Sequence, residues 1–260
     1  MKLSLNPTKS IGKVVFIVEG QRREFTFLEY LLTKVFHYSV IEYRRGKEPI
    51  VYYQSPFDVH SQIFIVNTEN SNISSIKRGT DYLNSVFNEL YEKYKLDLHN
   101  AATYYIFDRD PKSNNNHELI ENLTTELTNA RDNDTELGGL LLLSYPSLEA
   151  YLLSALVHKE DRVPFERGEK MKEYLARNKL YQENIQEQNV LQAADEMLAE
   201  LYSLSGVEFE IGMLDDFGEY NLSIFKSEER KFETNKAYSI LSCLSCALID
   251  LGIIVMNDEN

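Results

Sequence analysis

Val14-Val15-Phe16-Ile17-Val18-Glu19-Gly20 is the stretch that decides the fold. Five apolar residues, mostly β-branched, stop at a carboxylate and a glycine. Such a run is too short for a buried helix and lacks the alternation of a half-exposed strand, so it reads as a strand buried on both faces. Working outward, Glu24 to Phe36 carries Phe25, Leu28, Leu31, Leu32 and Val35 at helical spacing. Ile63–Val66 is a second buried strand, and Tyr82–Tyr94 a second amphipathic helix. Thr103–Phe107 is a third strand, halted by Asp108-Arg109-Asp110-Pro111. A helix over His117–Arg131, a fourth strand over Leu140–Leu143 and a helix over Ser147–His158 follow. Strands alternating with helices predict βαβ units and an α/β fold, with a mostly parallel sheet flanked by helices. Functional residues in such sheets collect at the carboxyl ends of the strands.

From Lys159 the texture changes. Residues 159–187 are highly charged, 190–204 reads as a helix, 206–235 as irregular and acidic, and 236–255 as apolar and helical. Two parts are therefore expected: a catalytic α/β domain over 1–158, and a mainly helical extension over 159–260 for dimerisation or partner docking.

The 260 residues are 43% hydrophobic, enough for a real core. No apolar run reaches the ~18 residues that span a membrane, and the polar N-terminus has no secretory h-region, so a soluble cytoplasmic protein is expected. Two cysteines, Cys243 and Cys246, rule out a disulfide scaffold; with no second pair they read as core residues rather than zinc ligands. The five histidines show no ligand spacing, and His117 reads as a solvated loop residue. The net charge is −14, but residues 1–78 balance at +4 and the remainder at −18. The positive part clusters at Arg22-Arg23, Arg44-Arg45-Gly46-Lys47 and Lys77-Arg78.

Glu19 ends the first strand, where a carboxylate loses solvation unless a charge compensates it. Asp108 and Asp110 end the third. On an extended backbone, residues i and i+2 point the same way, so both carboxylates can face one ion. Three carboxylates at one place would repel, and a divalent cation such as Mg²⁺ removes that penalty. Asp-x-Asp before a proline also suits a turn, and a first-turn glutamate such as Glu24 or Glu149 also suits the helix dipole. Arg22, Arg23 and Lys112 are candidate phosphate contacts. Arg109 is another, although its side chain should point away from its two neighbours.

Val18-Glu19-Gly20 with Glu24, Phe107-Asp108-Arg109-Asp110, and Ser144-Tyr145-Pro146-Ser147-Leu148-Glu149 together resemble the signature of TOPRIM domains. The likeness is to the RloB-like and OLD-associated nucleases of anti-phage defence, including the TOPRIM effectors of two-component ATPase–nuclease systems such as PARIS. It covers residues 14–157. It departs at the second strand, where Asn67-Thr68-Glu69 lacks an expected glycine and Glu69 has no assigned role.

The resemblance implies a TOPRIM-like, Rossmann-like sheet and metal-dependent cleavage of a phosphodiester in RNA (tRNA included) or DNA. Glu19 would act as general base or metal ligand, and Asp108 and Asp110 would hold Mg²⁺ or Mn²⁺. Glu149 and Glu24 would support them. It also implies a toxic effector, homodimeric when active, controlled by an ABC- or OLD-like ATPase. The chain has no Gly-x-x-x-x-Gly-Lys-Ser/Thr, so that ATPase would be another chain. Two other readings stay open. One is an Asp-x-Asp phosphatase or nucleotide-sugar enzyme, although a phosphatase of the haloacid dehalogenase type carries its aspartates after the first strand, where Glu19 stands here. The other is a non-catalytic subunit that binds a partner through its acidic C-terminal part. A chain this acidic grips a long duplex poorly by itself, so a dimer, a substrate-bringing partner or a small structured RNA is expected.

Overall fold

The computed structural model describes residues 2–20, 23–44, 50–68, 72–78, 84, 88, 91–93, 95, 101–131 and 138–257. The helix expected over Tyr82–Tyr94 and the cluster Arg45-Gly46-Lys47 fall mostly or wholly outside them, as do Arg22 and Glu69.

The protein is α/β, with a mixed, mostly parallel central sheet flanked by helices. Four strands form its centre: β2 (Lys13–Val18), β5 (Gln62–Asn67), β6 (Ala102–Asp108) and β8 (Gly139–Tyr145). They are mutually parallel, in the order β5-β2-β6-β8. Their continuous apolar runs follow from this position, because both faces are covered and neither needs polar residues. The first of the four in the chain lies inside the sheet, with the second on one side and the third on the other. The chain therefore changes direction between β2 and β6, which is where open α/β sheets form a crevice beyond the strand ends.

The sheet extends further than the apolar runs indicate. β3 (Ser39–Arg44) and β4 (Ile50–Gln54) add an antiparallel pair outside β5. On the opposite side two short strands pair antiparallel with β8: β7 (Thr128–Asn129) at its amino end and β9 (Leu241–Ser242) at its carboxyl end. β1 (Lys2–Leu5) and β10 (Ile254–Asn257) form a separate two-stranded ribbon that joins the chain's ends.

The helices are α1 (Arg23–Tyr30, continued by a π turn to Val35), α2 (Ser74–Arg78), α3 (His117–Glu126), α4 (Glu149–Leu156), α5 (Gly168–Arg177), α6 (Glu187–Ser205), α7 (Gly218–Asn235) and α8 (Leu244–Asp250). Three expectations are corrected here. Residues 218–235 are helical rather than irregular. Their buried stripe is Gly218, Asn221, Ile224, Phe225, Glu228 and Glu229, helical in spacing but half polar. Residues 236–255 hold two short strands and the helix α8 rather than one helix. The third helix also stops at Glu126, before the expected Arg131, because Thr128 and Asn129 join the sheet.

The C-terminal third is largely helical, and it shares one hydrophobic core with the rest. β9 closes the carboxyl end of β8, and Cys243 and Cys246 are buried free thiols in that core. Among the described residues no helix is long and apolar enough to cross a membrane.

Candidate active site

Glu19 and Asp108 stand at the carboxyl ends of the two strands that flank the change of direction. Glu19 is 7% exposed. Its Oε2 accepts from the Asp108 backbone N–H at 3.2 Å, and its Oε1 from Asn114 Nδ2 at 2.9 Å. The same Asn114 amide donates to the Asp108 carbonyl at 2.6 Å. Asn67, at the end of β5, donates to the Glu19 carbonyl at 2.6 Å. Three strand ends are thus tied together by two asparagine side chains.

Asp108 is buried, and its Oδ1 accepts from the Leu148 N–H at 2.8 Å. Leu148 immediately precedes α4, so this bond sets Glu149, the helix's first residue, beside Asp108. Glu24 arrives from the first turn of α1, and its carboxylate lies over Gly20, where a Cβ would collide with it. Four of the five predicted acids, Glu19, Asp108, Glu149 and Glu24, therefore form one electrostatic group.

Burial is the largest influence on these acids. It raises the Glu19 carboxyl to about 7, against the opposing pull of its bonds from Asn114 and the Asp108 N–H. Burial, then the charges of Glu149 and Glu19, lift Asp108 well above the usual carboxylate range. Burial and the Glu149 charge raise Glu24 as well. The group is compensated from a place the sequence did not single out. Lys172, on the second turn of α5, brings its Nζ to 3.5 Å from Glu149 Oε1 and 3.9 Å from Asp108 Oδ2. Burial works against its charge, but Glu149, Asp108 and Glu24 together hold its pKa above the ordinary lysine value.

Asp110 behaves differently from the i, i+2 expectation. β6 ends at Asp108, so the alternation that would aim both carboxylates alike does not continue. Asp110 Oδ1 accepts from the Lys112 N–H at 2.9 Å, closing an Asx turn, and Oδ2 accepts from the Gly168 N–H at 3.0 Å. Gly168 is the first residue of α5, whose own N-cap supplies no side-chain acceptor. Asp110 thus caps that helix from another element, where the dipole favours a carboxylate. A Cβ at Gly168 would come within 3.1 Å of Asp110 Oδ2 and 2.9 Å of Ser147 Cβ, so glycine lets the two approach.

Arg109 is not a phosphate contact. It is 0% exposed and points away from the cluster: Nε lies 2.8 Å from Glu229 Oε1, and Nη2 donates to Glu229 Oε2 at 2.9 Å. Phe225 and Tyr238 cover its guanidinium, and His117, expected to be merely solvated, pairs with Glu229 at 2.9 Å. Of the other cations, Arg23 is at the site, with Nη1 3.6 Å from Glu149 Oε1. Lys112 is exposed and pairs with Glu169.

The donor set is all oxygen and suits a hard divalent cation by type. Glu149 Oε2 is buried without a hydrogen-bond partner, so its lone pairs are unused. Among the described residues, however, no three His, Cys, Asp or Glu side chains are drawn close enough to hold one ion. Lys172 supplies a positive charge among them. Asn114, Gly168 and Lys172 were missed in the sequence, since none belongs to a motif and each acts through a contact set by the fold, and Asn67 was noted only as part of a departure from the family pattern. Comparison with protein-family models, curated proteins and solved structures returned no match.

Proposed function

We propose that the protein is a metal-dependent phosphodiesterase that cuts a nucleic-acid strand at the Glu19–Asp108–Glu149 cluster. The observation that carries this reading is the pairing of buried strand-end carboxylates with one lysine at a sheet crevice. Several acids whose charges are costly there, with a cation among them, suit a phosphate and its counter-ions better than a neutral substrate.

Glu19 is the base. Its raised pKa, about 7, puts it near the working pH, where a general base is most effective. It takes a proton from a water that attacks phosphorus; one P–O ester bond breaks, and the departing oxygen leaves with the bonding pair and is protonated from solvent. Asn114 and the Asp108 N–H orient the Glu19 carboxylate. Asp108 and Glu149 would hold Mg²⁺ or Mn²⁺, which when bound would supply charge stabilisation at the phosphate oxygens, and Glu24 would add a further negative charge beside them. Lys172 places a positive charge beside the same phosphate. Asp110 acts as a positioning residue, fixing the start of the helix that carries Lys172.

The resemblance to RloB-like and OLD-associated TOPRIM nucleases adds the biological setting to the proposal: a toxic effector of anti-phage defence, homodimeric when active and released by a separate ATPase. Labelled RNA and DNA strands, p-nitrophenyl phosphate and a nucleotide sugar, each incubated with the protein and Mg²⁺, test the reading. Strand scission is expected. Turnover of only the small substrates would replace it with the phosphatase or sugar-nucleotide alternative.

A further inference from the structure

A cavity of about 280 Å³ opens between α1 and α5, beside the acidic cluster. It lies near the lower end of the ~300–1,000 Å³ range of ligand pockets, a size for one ring system. Its lining is divided. Phe27, Leu152 and Leu175 give it a buried apolar wall, with Leu180 and Tyr181 nearer solvent, while Arg23 and Lys172 line it together with Glu24 and Glu149. Glu24, Glu149 and Lys172 belong both to the cavity and to the cluster, so an occupant touches the groups assigned to the phosphate. Phe27 is held edge-on against Tyr151, with ring centroids 5.4 Å apart. Tyr181 is 47% exposed, leaving much of its ring open to a ligand. Arg23, with its side chain 65% exposed, offers a cation to solvent beside it.

We propose that this cavity receives one nucleotide unit of a single-stranded polynucleotide, its base against the apolar wall and its phosphate beside Lys172 and Arg23. The proposal rests on the phosphodiesterase reading and narrows it. A paired base is stacked inside its helix and cannot enter, so the substrate is single-stranded or has one base turned out. Stacking on an aromatic ring grips a base without relying on backbone charge. That resolves a difficulty of a chain with net charge −14, which attracts a polyanion weakly as a whole.

The test uses a short single-stranded RNA of mixed sequence, its DNA counterpart, and panels of each in which every nucleotide in turn is abasic. Binding is read by fluorescence anisotropy in EDTA, and cleavage in Mg²⁺. Wild type is expected to lose roughly tenfold or more in affinity, and to slow in cleavage, when one particular position is abasic. Ala176→Trp, which fills the cavity from an exposed helical position, should bind intact and abasic strands alike. Tyr181→Ala should weaken the intact strand several-fold with unchanged thermal melting, which separates lost contact from lost folding. Free mononucleotides separate the two sources of the same chemistry: binding tighter than the strand, and equal in wild type and Ala176→Trp, overturns the proposal. Cleavage that ignores every abasic position overturns the cavity assignment and leaves the phosphodiesterase reading standing. No Mg²⁺-dependent cleavage of any strand overturns both.

Discussion

Replacing Glu19 by glutamine removes a buried charge while keeping the side chain's shape, and the consequence for stability depends on pH. The wild-type carboxyl rises from an ordinary 4.5 to about 7 on folding, chiefly because it is buried. Between those values the folded chain binds more protons than the unfolded one, so stability falls as pH rises. The loss begins above 4.5, is complete above about 7, and amounts to about 3 kcal/mol. About 1 kcal/mol of it is already present near pH 5. Glutamine has a single acceptor oxygen, so one of the two bonds from Asn114 and the Asp108 N–H is lost, at a cost of about 1 kcal/mol at every pH. The two effects nearly cancel near pH 5. At about pH 8 the variant should be the more stable by about 2 kcal/mol. Easing of the neighbouring Asp108, which the Glu19 charge also lifts, works in the same direction. Urea unfolding of both proteins in EDTA, from about pH 5 to about pH 8, measures the difference. Added Mg²⁺ should restore wild type at the alkaline end far more than the variant. A stability difference that stays constant across the range would refute the claim that Glu19 is a buried, costly charge.

Substitutions at three further residues probe the site and its scaffold. Glu229→Ala leaves Arg109 buried without its partner and should cost about 3–5 kcal/mol in urea unfolding, with Glu229→Gln costing less. Gly168→Ala forces α5 away from Asp110 or Ser147, so it should destabilise by roughly 1–3 kcal/mol and lower the cleavage rate through displaced Lys172. Lys172→Ala removes the cation now among the acids: Mn²⁺ binding, followed by titration, should tighten while strand cleavage slows. Looser Mn²⁺ binding in that variant would show that Lys172 does not compete for the site.

The parallel centre of the sheet was legible because β2, β5, β6 and β8 are buried on both faces and so read as unbroken apolar runs. Glu19, Asp108, Glu149 and Glu24 were legible because each follows a strand end or opens the next helix, positions the topology gathers. The β3–β4 pair was not: it lies at the sheet's edge, and the adjacent Val40 and Ile41 are both exposed, so no clean alternation appears. α7 escaped because polar residues occupy its buried stripe, each answered by a distant partner: Asn221 donates to the Leu141 carbonyl, Glu228 accepts from the Ser239 N–H, and Glu229 meets Arg109. Asp110 was assigned by an alternation that holds only while the strand lasts, and the strand had ended two residues before it. Lys172 sits within a charged stretch where no local signal separates it from its solvated neighbours, and only the packing of α5 against the cluster gives it a role.

Mg²⁺-dependent scission of a labelled single strand by wild type, Glu19→Ala and Asp108→Ala, with an EDTA control, tests the central claim most directly. Wild type should cleave and EDTA should abolish that cleavage, while each variant should lose at least about a hundredfold, Glu19→Ala through loss of the base and Asp108→Ala through loss of a metal ligand. Cleavage retained in both variants at the wild-type rate would contradict that claim.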